Sequence, residues 1–506
     1  MAKYKYYDYS QSMMIPVSLD KQLMPGTLEF AIHTLLETRV DTSIFDDRYK
    51  NDETGRYAYD PKVLLKIVLL GYSRGLISSR DLERACRENA TFMALSCGQC
   101  PDHSTIAAFV SSLQDEIVYL FRDILLVCEQ ENLLGGTLFA LDGCKLPSNA
   151  SSRLSGRFSE LEVKKEIIEK KVRRLLKEQV EADKEDDDDE KDGRGSGMRT
   201  RSTQIERLQK KADQIKKWLK DNEPKVGIQG REIRSNVTDN DSTKMLSTHG
   251  TIQGYNAQAL VDSKKQVILH AEALGQPQDH RLIPQILDAA KENMEAIGCG
   301  NDYFCGKKFT ADSNYHDPTN LKRCEEEGLD AYIPDKRYRK RDPRLHVKEG
   351  YSPYRKKRYT LNDFKYDENR DAYRCPNGKF LGLYVKKAIT DGIIYRRYRS
   401  EEHDCKGCEL KAKCMLRQST KRRVICVPLG SVPGNLSRAM AAKIDSEKGR
   451  KIYTRRLAIV EPVFANIRTH KGMNRFTLRG KVKVNIQWLL YCMVHNIGKL
   501  AAYGYT

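Results

Sequence analysis

The sequence predicts a multidomain α/β fold, and three observations predict it. The first 135 residues carry only helix signals. From residue 136, short apolar strand segments alternate with helices. Two long charged stretches interrupt that pattern. The chain of 506 residues therefore divides into a helical segment at 1–135, a sheet-bearing core assembled from 136–156, 230–335 and 450–506, a charged helical insertion at 157–229, and a basic, cysteine-containing insertion at 336–449.

In the first segment, Tyr59-Asp60-Pro61 precedes the apolar run Val63, Leu64, Leu65, Ile67, Val68, Leu69 and Leu70, a helix start with Pro near its first turn. That run is short and carries Lys66, so it does not span a bilayer. Ser78-Ser79-Arg80-Asp81-Leu82-Glu83 offers caps and acids for a second helix. Pro101-Asp102-His103-Ser104-Thr105 leads into a third, with Ile106, Phe109, Val110 and Leu113 on one stripe. Short helices joined by tight turns suit a helix-turn-helix module and suit any small bundle equally.

Residues 137–142 form an apolar strand that ends in the carboxylate of Asp142. Residues 157–225 are dominated by charge, and two helical stretches flank Asp186-Asp187-Asp188-Asp189-Glu190, as in a helical hairpin with a flexible tip. Strands follow at 254–262 and 266–274, then a helix at 281–297. Phe309-Thr310-Ala311 leads to a second strand-end carboxylate, Asp312; a helix at 318–327 and a strand at 331–334 come next, and residues 451–500 return to helix. This order of elements is that of the ribonuclease-H-like fold, whose mixed sheet gathers carboxylates from distant segments.

Lys and Arg number 88 against 69 Asp and Glu, a formal charge of +19, so a polyanion is the natural partner. The N-terminus has no apolar signal region, and no membrane partner is expected. The 14 cysteines suit thiols or metal ligands in a reducing, cytoplasmic compartment. Residues 336–358 hold 11 Lys or Arg against 2 acids, with Tyr338, Tyr351 and Tyr354 interleaved, a composition suited to phosphates and unpaired bases. Lys336, Arg337, Arg339, Lys340 and Arg341 open that run. Cys405-x2-Cys408-x5-Cys414, with Cys375 upstream, offers four thiolates for a tetrahedral structural Zn²⁺. Cys97-x2-Cys100 with His103 lacks a fourth ligand.

Asp142 and Asp312 sit where rigid strands present oxygen ligands, and Glu461 lies in the apolar run Ile459-Val460-Glu461-Pro462-Val463-Phe464, where burial without a partner is costly. Three such carboxylates suit two Mg²⁺ ions about 4 Å apart, the arrangement that cleaves phosphodiesters. Gly143 permits close approach beside Asp142. Arg468, seven residues after Glu461, shares its face on a regular helix and suits a phosphate.

These residues carry a family resemblance. Tyr59 to Leu65, Ser78 to Glu83, Pro101 to Ile106, Leu141-Asp142-Gly143, Gly254-Tyr255-Asn256-Ala257-Gln258, Thr310 to His316 and Val460 to Phe464 fall in an order that resembles the insertion-sequence transposases of the DDE class, in the group whose last acid sits in a Tyr-Arg-Glu-Lys signature. The resemblance implies a DNA transposase with a ribonuclease-H-like core. Asp142, Asp312 and Glu461 would be catalytic and would hold two Mg²⁺, with Mn²⁺ able to substitute. It further implies binding to double-stranded element-end inverted repeats and target DNA, a homodimer on DNA, and a bacterial-type, nucleoid-associated location. Tyr453, Arg456 and Arg468 are candidates for the other signature positions. The pattern has three residues between Arg and Glu where this chain has four, and Arg468 stands for Lys. On one continuous helix Arg456 lies about 140° from Glu461, but Pro462 predicts a break there. Two other readings stay open: a nuclease with the same core and no strand transfer, and a transposase-derived DNA-binding protein without catalysis.

Overall fold

Pro61 opens its helix, as the sequence predicts, because its missing N–H is one that no helix start can satisfy internally. Asp60 caps the same end, accepting from Lys62 N at 2.7 Å. In this computed structural model the described residues are 18–49, 57–186, 195–227, 230–247, 250–344, 358–390, 393–417, 419–431 and 435–504. They form two compact units: Met1–Asp279, Ile286–Tyr303 and Leu457–Thr506 in one, His280–Gln285 and Phe304–Arg456 in the other.

In the first unit the N-terminal segment is helical throughout its described elements, with helices Leu28–Thr38, Pro61–Ser73, Ser79–Glu88, Ala90–Leu95, His103–Ser112 and Glu116–Gln130. The stripe of Ile106, Phe109, Val110 and Leu113 is buried. Lys66, the charge inside the apolar run, is buried too; it pairs with Glu37 at 2.5 Å and meets His33 Nδ1 at 3.2 Å, which offsets its desolvation.

The sheet of this unit has β1 (Leu138–Pro147), β2 (Thr243–Ser247), β3 (Gly250–Asp262) and β4 (Ile268–Leu274). β3 is the spine. It runs antiparallel to β1 from Phe139↔Asp262 to Pro147↔Gly254, and its other edge is shared by β2 and then β4. β1 corrects the expectation of a strand ending at Asp142: five more residues pair, and Asp142 stands mid-strand opposite Ala259. Gly254 is required where the strands approach most closely, since a Cβ there would lie 2.0 Å from Leu146 O.

The helix Lys481–Tyr503 covers β4 and packs on the N-terminal helices, with Tyr491 against Tyr72 at 5.0 Å. Two asparagines bind it to the strand edge. Asn485 accepts from Ala273 N at 2.7 Å and donates to Ala273 O at 3.0 Å; Asn496 does the same at Ile268, 2.9 Å each way. From Asn485 to Asn496 the helix rises about 16.5 Å, and from Ile268 to Ala273 a strand advances about the same distance. The side chains thereby occupy backbone groups of an edge strand.

The charged insertion forms the helices Phe158–Asp186 and Gly195–Asp221, zipped by Val172, Leu175 and Ile205 and, nearer the sheet, by Leu161 and Ile215 with Leu154 and Val237. The expected tip, 187–194, lies outside the described residues.

In the second unit, β5 (Lys308–Ala311) and β6 (Asp330–Tyr332) are parallel, with the helix Pro318–Glu326 between them in sequence. Beyond its charge, the basic insertion at 336–449 builds an antiparallel sheet: β7 (Lys365–Asp367), β8 (Ala372–Arg374), β9 (Phe380–Thr390), β10 (Ile393–Ser400) and β11 (Val424–Ser431), in the order β11-β10-β9-β8-β7. The helix Glu447–Ala465 keeps Pro462 inside it, so the expected break does not fall at Glu461; a π-helical turn, Asn466–His470, follows instead. The predicted helical return at 451–500 is thus interrupted before Lys481.

Candidate functional site

Alternation along β1 puts Asp142 and Cys144 on one face of the sheet and Gly143 on the other. Asp142 is half-buried, and its Oδ1 accepts from Gly143 N at 2.9 Å. On its own face, Gly143 leaves room for Asn256 and Gln258 of β3: a Cβ would stand 2.1 Å from Gln258 Nε2. Both amides donate to Asp279 Oδ1, at 2.6 and 3.1 Å. The close approach foreseen at Gly143 is therefore made by the amides of the Gly254–Gln258 motif. Asp279 carried no sequence signal for this role. On the Asp142 face, burial pushes the Cys144 thiol up to about 12, while the positive charge of Arg468 opposes the shift and the negative charge of Asp142 adds to it. Arg468 and Asp142 are thus neighbours of one side chain within this unit.

Glu461 is exposed, and the buried residues around it are Ile459, Val460, Val463 and Ile467. The burial cost expected from the apolar run does not arise, because the carboxylate is on the outer face of the helix. The π turn breaks the regular spacing that would have set Arg468 directly below Glu461; Arg468 is exposed as well. Pro462 has no N–H to give the Ala458 carbonyl. Gln266 Nε2 supplies that bond at 2.9 Å. Gln266, held at φ +60°, also receives Lys499 Nζ on its Oε1 at 2.9 Å, and its own carbonyl faces His495 Nε2 at 2.9 Å. None of this was legible in the sequence, since it depends on tertiary contact.

His495 is buried behind the Glu461 helix, with Nδ1 facing the Asn466 amide at 3.2 Å. Burial pushes its pKa down to about 3, and burial likewise takes His270 to about 4. In an unfolded chain both titrate near 6.5, so as pH falls the unfolded state takes up protons first. Their stabilising contribution is present above about pH 6.5 and is lost progressively below it. The midpoint of urea unfolding is expected to drop between about pH 6.5 and about pH 4, less steeply in His495→Gln than in wild type. Identical pH profiles for the two proteins would refute this assignment.

In the second unit, Asp312 follows β5 directly, as predicted. It is half-buried and caps the short turn Ser313–Tyr315, accepting from Asn314 N at 2.8 Å. Tyr453 lies within electrostatic reach: burial raises its pKa, Arg456 opposes the rise, and the Asp312 carboxylate adds to it. The Arg456 guanidinium is 5.9 Å from the Tyr453 ring, and Tyr453 meets Tyr338 edge-on at 5.3 Å. Asp312, Tyr453 and Arg456 are therefore gathered in this unit, while Asp142, Glu461 and Arg468 belong to the first.

The basic run is only partly available to a polyanion. Lys336, Arg337 and Arg339 are exposed. Arg341 is not free for phosphate: it spans Asp335 and Asp445, at 2.6 and 2.5 Å. Tyr338 is buried, which removes it from any base-stacking role, and Tyr351 and Tyr354 lie outside the described residues, as does the side chain of Lys340. At the N-terminal cysteines, Glu83 holds His103 Nδ1 at 2.8 Å, and Cys100 Sγ meets Glu83 O at 3.5 Å. Among the described residues no three His, Cys, Asp or Glu side chains already stand in a metal-ligating arrangement. No helix among them is long and apolar enough to cross a membrane.

A family model described as Transposase DDE domain matches residues 374–501, and one described as Transposase domain (DUF772) matches residues 17–112. The first takes in Tyr453, Arg456, Glu461 and Arg468; Asp142 and Asp312 fall outside both. No curated protein matches the chain. Two separate transposase matches, one in the N-terminal helical segment and one over the C-terminal part, support an insertion-sequence transposase of the DDE class.

Proposed function

We propose that this transposase binds the inverted repeats at the ends of its element, cleaves there and transfers the freed strand to target DNA, on a ribonuclease-H-like core and as a homodimer on DNA. The observation that carries the reading is the company kept by Asp312. Its solvent-reachable carboxylate shares surroundings with Tyr453 and Arg456, which ride on the helix that goes on to Glu461, inside the segment matched to a transposase DDE domain.

Asp142, Asp312 and Glu461 would hold two Mg²⁺, or Mn²⁺ in its place. The donor set fits: all three offer carboxylate oxygens, and each is half-buried or exposed, which leaves room for the waters that Mg²⁺ retains. Bound ions would make the attacking oxygen nucleophilic and stabilise the departing 3′ oxygen. Arg468, which is exposed, would orient the scissile phosphate; Arg456 is buried on the unbroken helix, so its part would be to hold Tyr453 in place beside Asp312 rather than to meet the phosphate itself. Lys336, Arg337 and Arg339 would contact flanking phosphates. Water attacks first and leaves a 3′ hydroxyl on the element end; that hydroxyl then attacks a target phosphodiester.

The test supplies pre-cleaved element ends, target DNA and Mg²⁺. Joined product is expected. Cleavage of intact ends without joining would reduce the protein to a nuclease, and binding with neither reaction would leave a non-catalytic DNA-binding protein.

A further inference from the structure

We infer that Cys375, Cys405, Cys408 and Cys414 form a tetrathiolate Zn²⁺ site that staples the five-stranded sheet of the second unit. The four residues come from three pieces of chain: Cys375 from the turn between β8 and β9, Cys405 and Cys408 from the short helix Glu402–Lys406 and the turn after it, Cys414 from the end of the helix Lys411–Cys414. All four line one small cavity of about 30 Å³. That is room for an ion and too little for an organic ligand. Among the described residues no three such side chains stand at ligating geometry, so binding would draw these four cavity-lining thiols together round the ion.

The local backbone is shaped for this. Cys375 lies in a tight turn: Cys375 N donates to Lys379 O and Gly378 N to Cys375 O, both at 2.8 Å, with Gly378 at φ +76°. Cys408 starts a second turn, its carbonyl accepting from Lys411 N at 3.0 Å. Two sulfurs already have polar neighbours of the kind that stabilise a thiolate: Asn377 Nδ2 donates to Cys408 Sγ at 3.4 Å, and Ser400 Oγ stands 3.1 Å from Cys405 Sγ.

Charge and stability point the same way. A Zn²⁺ with four thiolates carries a net charge of −2. The cavity wall holds Lys379, Lys411 and Arg423 against Asp404, three positive charges less one negative, or +2. The buried apolar cluster of this sheet consists of Phe364, Leu381, Tyr398 and Ile425, with Cys375 and Cys414 packed against it. Tyr359, Leu361, Tyr373, Leu383 and Val427 pack on it only partly buried, so few side chains of this sheet are fully withdrawn from water, and metal ligation is a common way for a small core to gain stability. Soft thiolates select Zn²⁺ over the hard Mg²⁺ proposed for the carboxylates.

The full chain, purified after expression with zinc in the medium, is expected to contain one zinc per chain by elemental analysis. Co²⁺ exchanged into it should give the charge-transfer and ligand-field bands of a tetrahedral thiolate site. Cys408→Ser and Cys414→Ser should lose the metal, while Cys305→Ser and Cys426→Ser, both at exposed positions, should keep it. In wild type, chelation should speed proteolysis between β7 and β11 by about tenfold or more. Wild type without zinc, wild type with iron in its place, or zinc retained in both ligand variants would overturn the inference. These readouts need no DNA, so they succeed or fail independently of the transposase reading.

Discussion

Asp142→Asn, Asp312→Asn and Glu461→Gln are each expected to slow element-end cleavage by roughly a thousandfold or more while leaving DNA binding intact. Holding the ions and their activated oxygen is worth several kcal/mol of transition-state stabilisation, and each 1.36 kcal/mol is a factor of ten. The substitutions keep volume and remove charge. Asn at 142 retains an oxygen for Gly143 N within the strand, and at 312 an acceptor for Asn314 N, so the local backbone at both positions survives. Glu461 is exposed, and Gln there has no packing consequence. Removing a negative charge from a site that meets phosphate leaves affinity unchanged or raises it. Gel-shift and cleavage measurements on the same preparations separate the two quantities. A variant that cuts within about threefold of wild type would remove that carboxylate from the site.

The parts of this fold that were legible in the sequence are those set by local chemistry. Asp60 before Pro61, Asp102 before His103 and the buried stripe from Ile106 to Leu113 each follow from a cap or a period. Asp312 straight after an apolar strand was equally plain. The extension of β1 past Asp142 was hidden because Gly143, Cys144 and Lys145 are half-buried and mostly not typical strand residues. The five-stranded sheet was hidden by charge. Its inner residues, Leu381, Leu383 and Tyr398, do alternate, but Lys and Arg on the other positions made the segment look like a solvated run. Glu461 misled for the opposite reason: its apolar neighbours face inward at helical spacing and say nothing about the residue between them. Arg341 and Tyr338 show that composition assigns a charge to a segment but not to a surface. One is locked between Asp335 and Asp445, and the other is buried.

Trp488→Ala is expected to lower the unfolding free energy by about 3–5 kcal/mol, the largest stability effect of any single truncation proposed for this chain. Trp488 is fully buried, its indole N–H donates to Gln258 O at 3.0 Å, and its ring stacks on Phe464 at 6.3 Å with the planes 10° apart. Alanine would leave a large void and remove the indole hydrogen bond to the Gln258 carbonyl of β3. It would also withdraw support from Phe464, three residues from Glu461 on the same helix. Urea unfolding followed by circular dichroism measures the loss. Fluorescence reports on the other tryptophan, Trp218, which packs in the charged hairpin beside Phe158. Trp488→Phe is the informative partner, because it keeps an aromatic ring against Phe464 and loses only the N–H, at about 1–3 kcal/mol. If the ring stack holds the Glu461 helix in place, Trp488→Phe should retain most end cleavage under conditions where Trp488→Ala, though still folded, has lost it. Equal cleavage by the two folded variants would show that Glu461 is positioned without this contact, leaving the Gln266 bond to Ala458 as the support behind the proline.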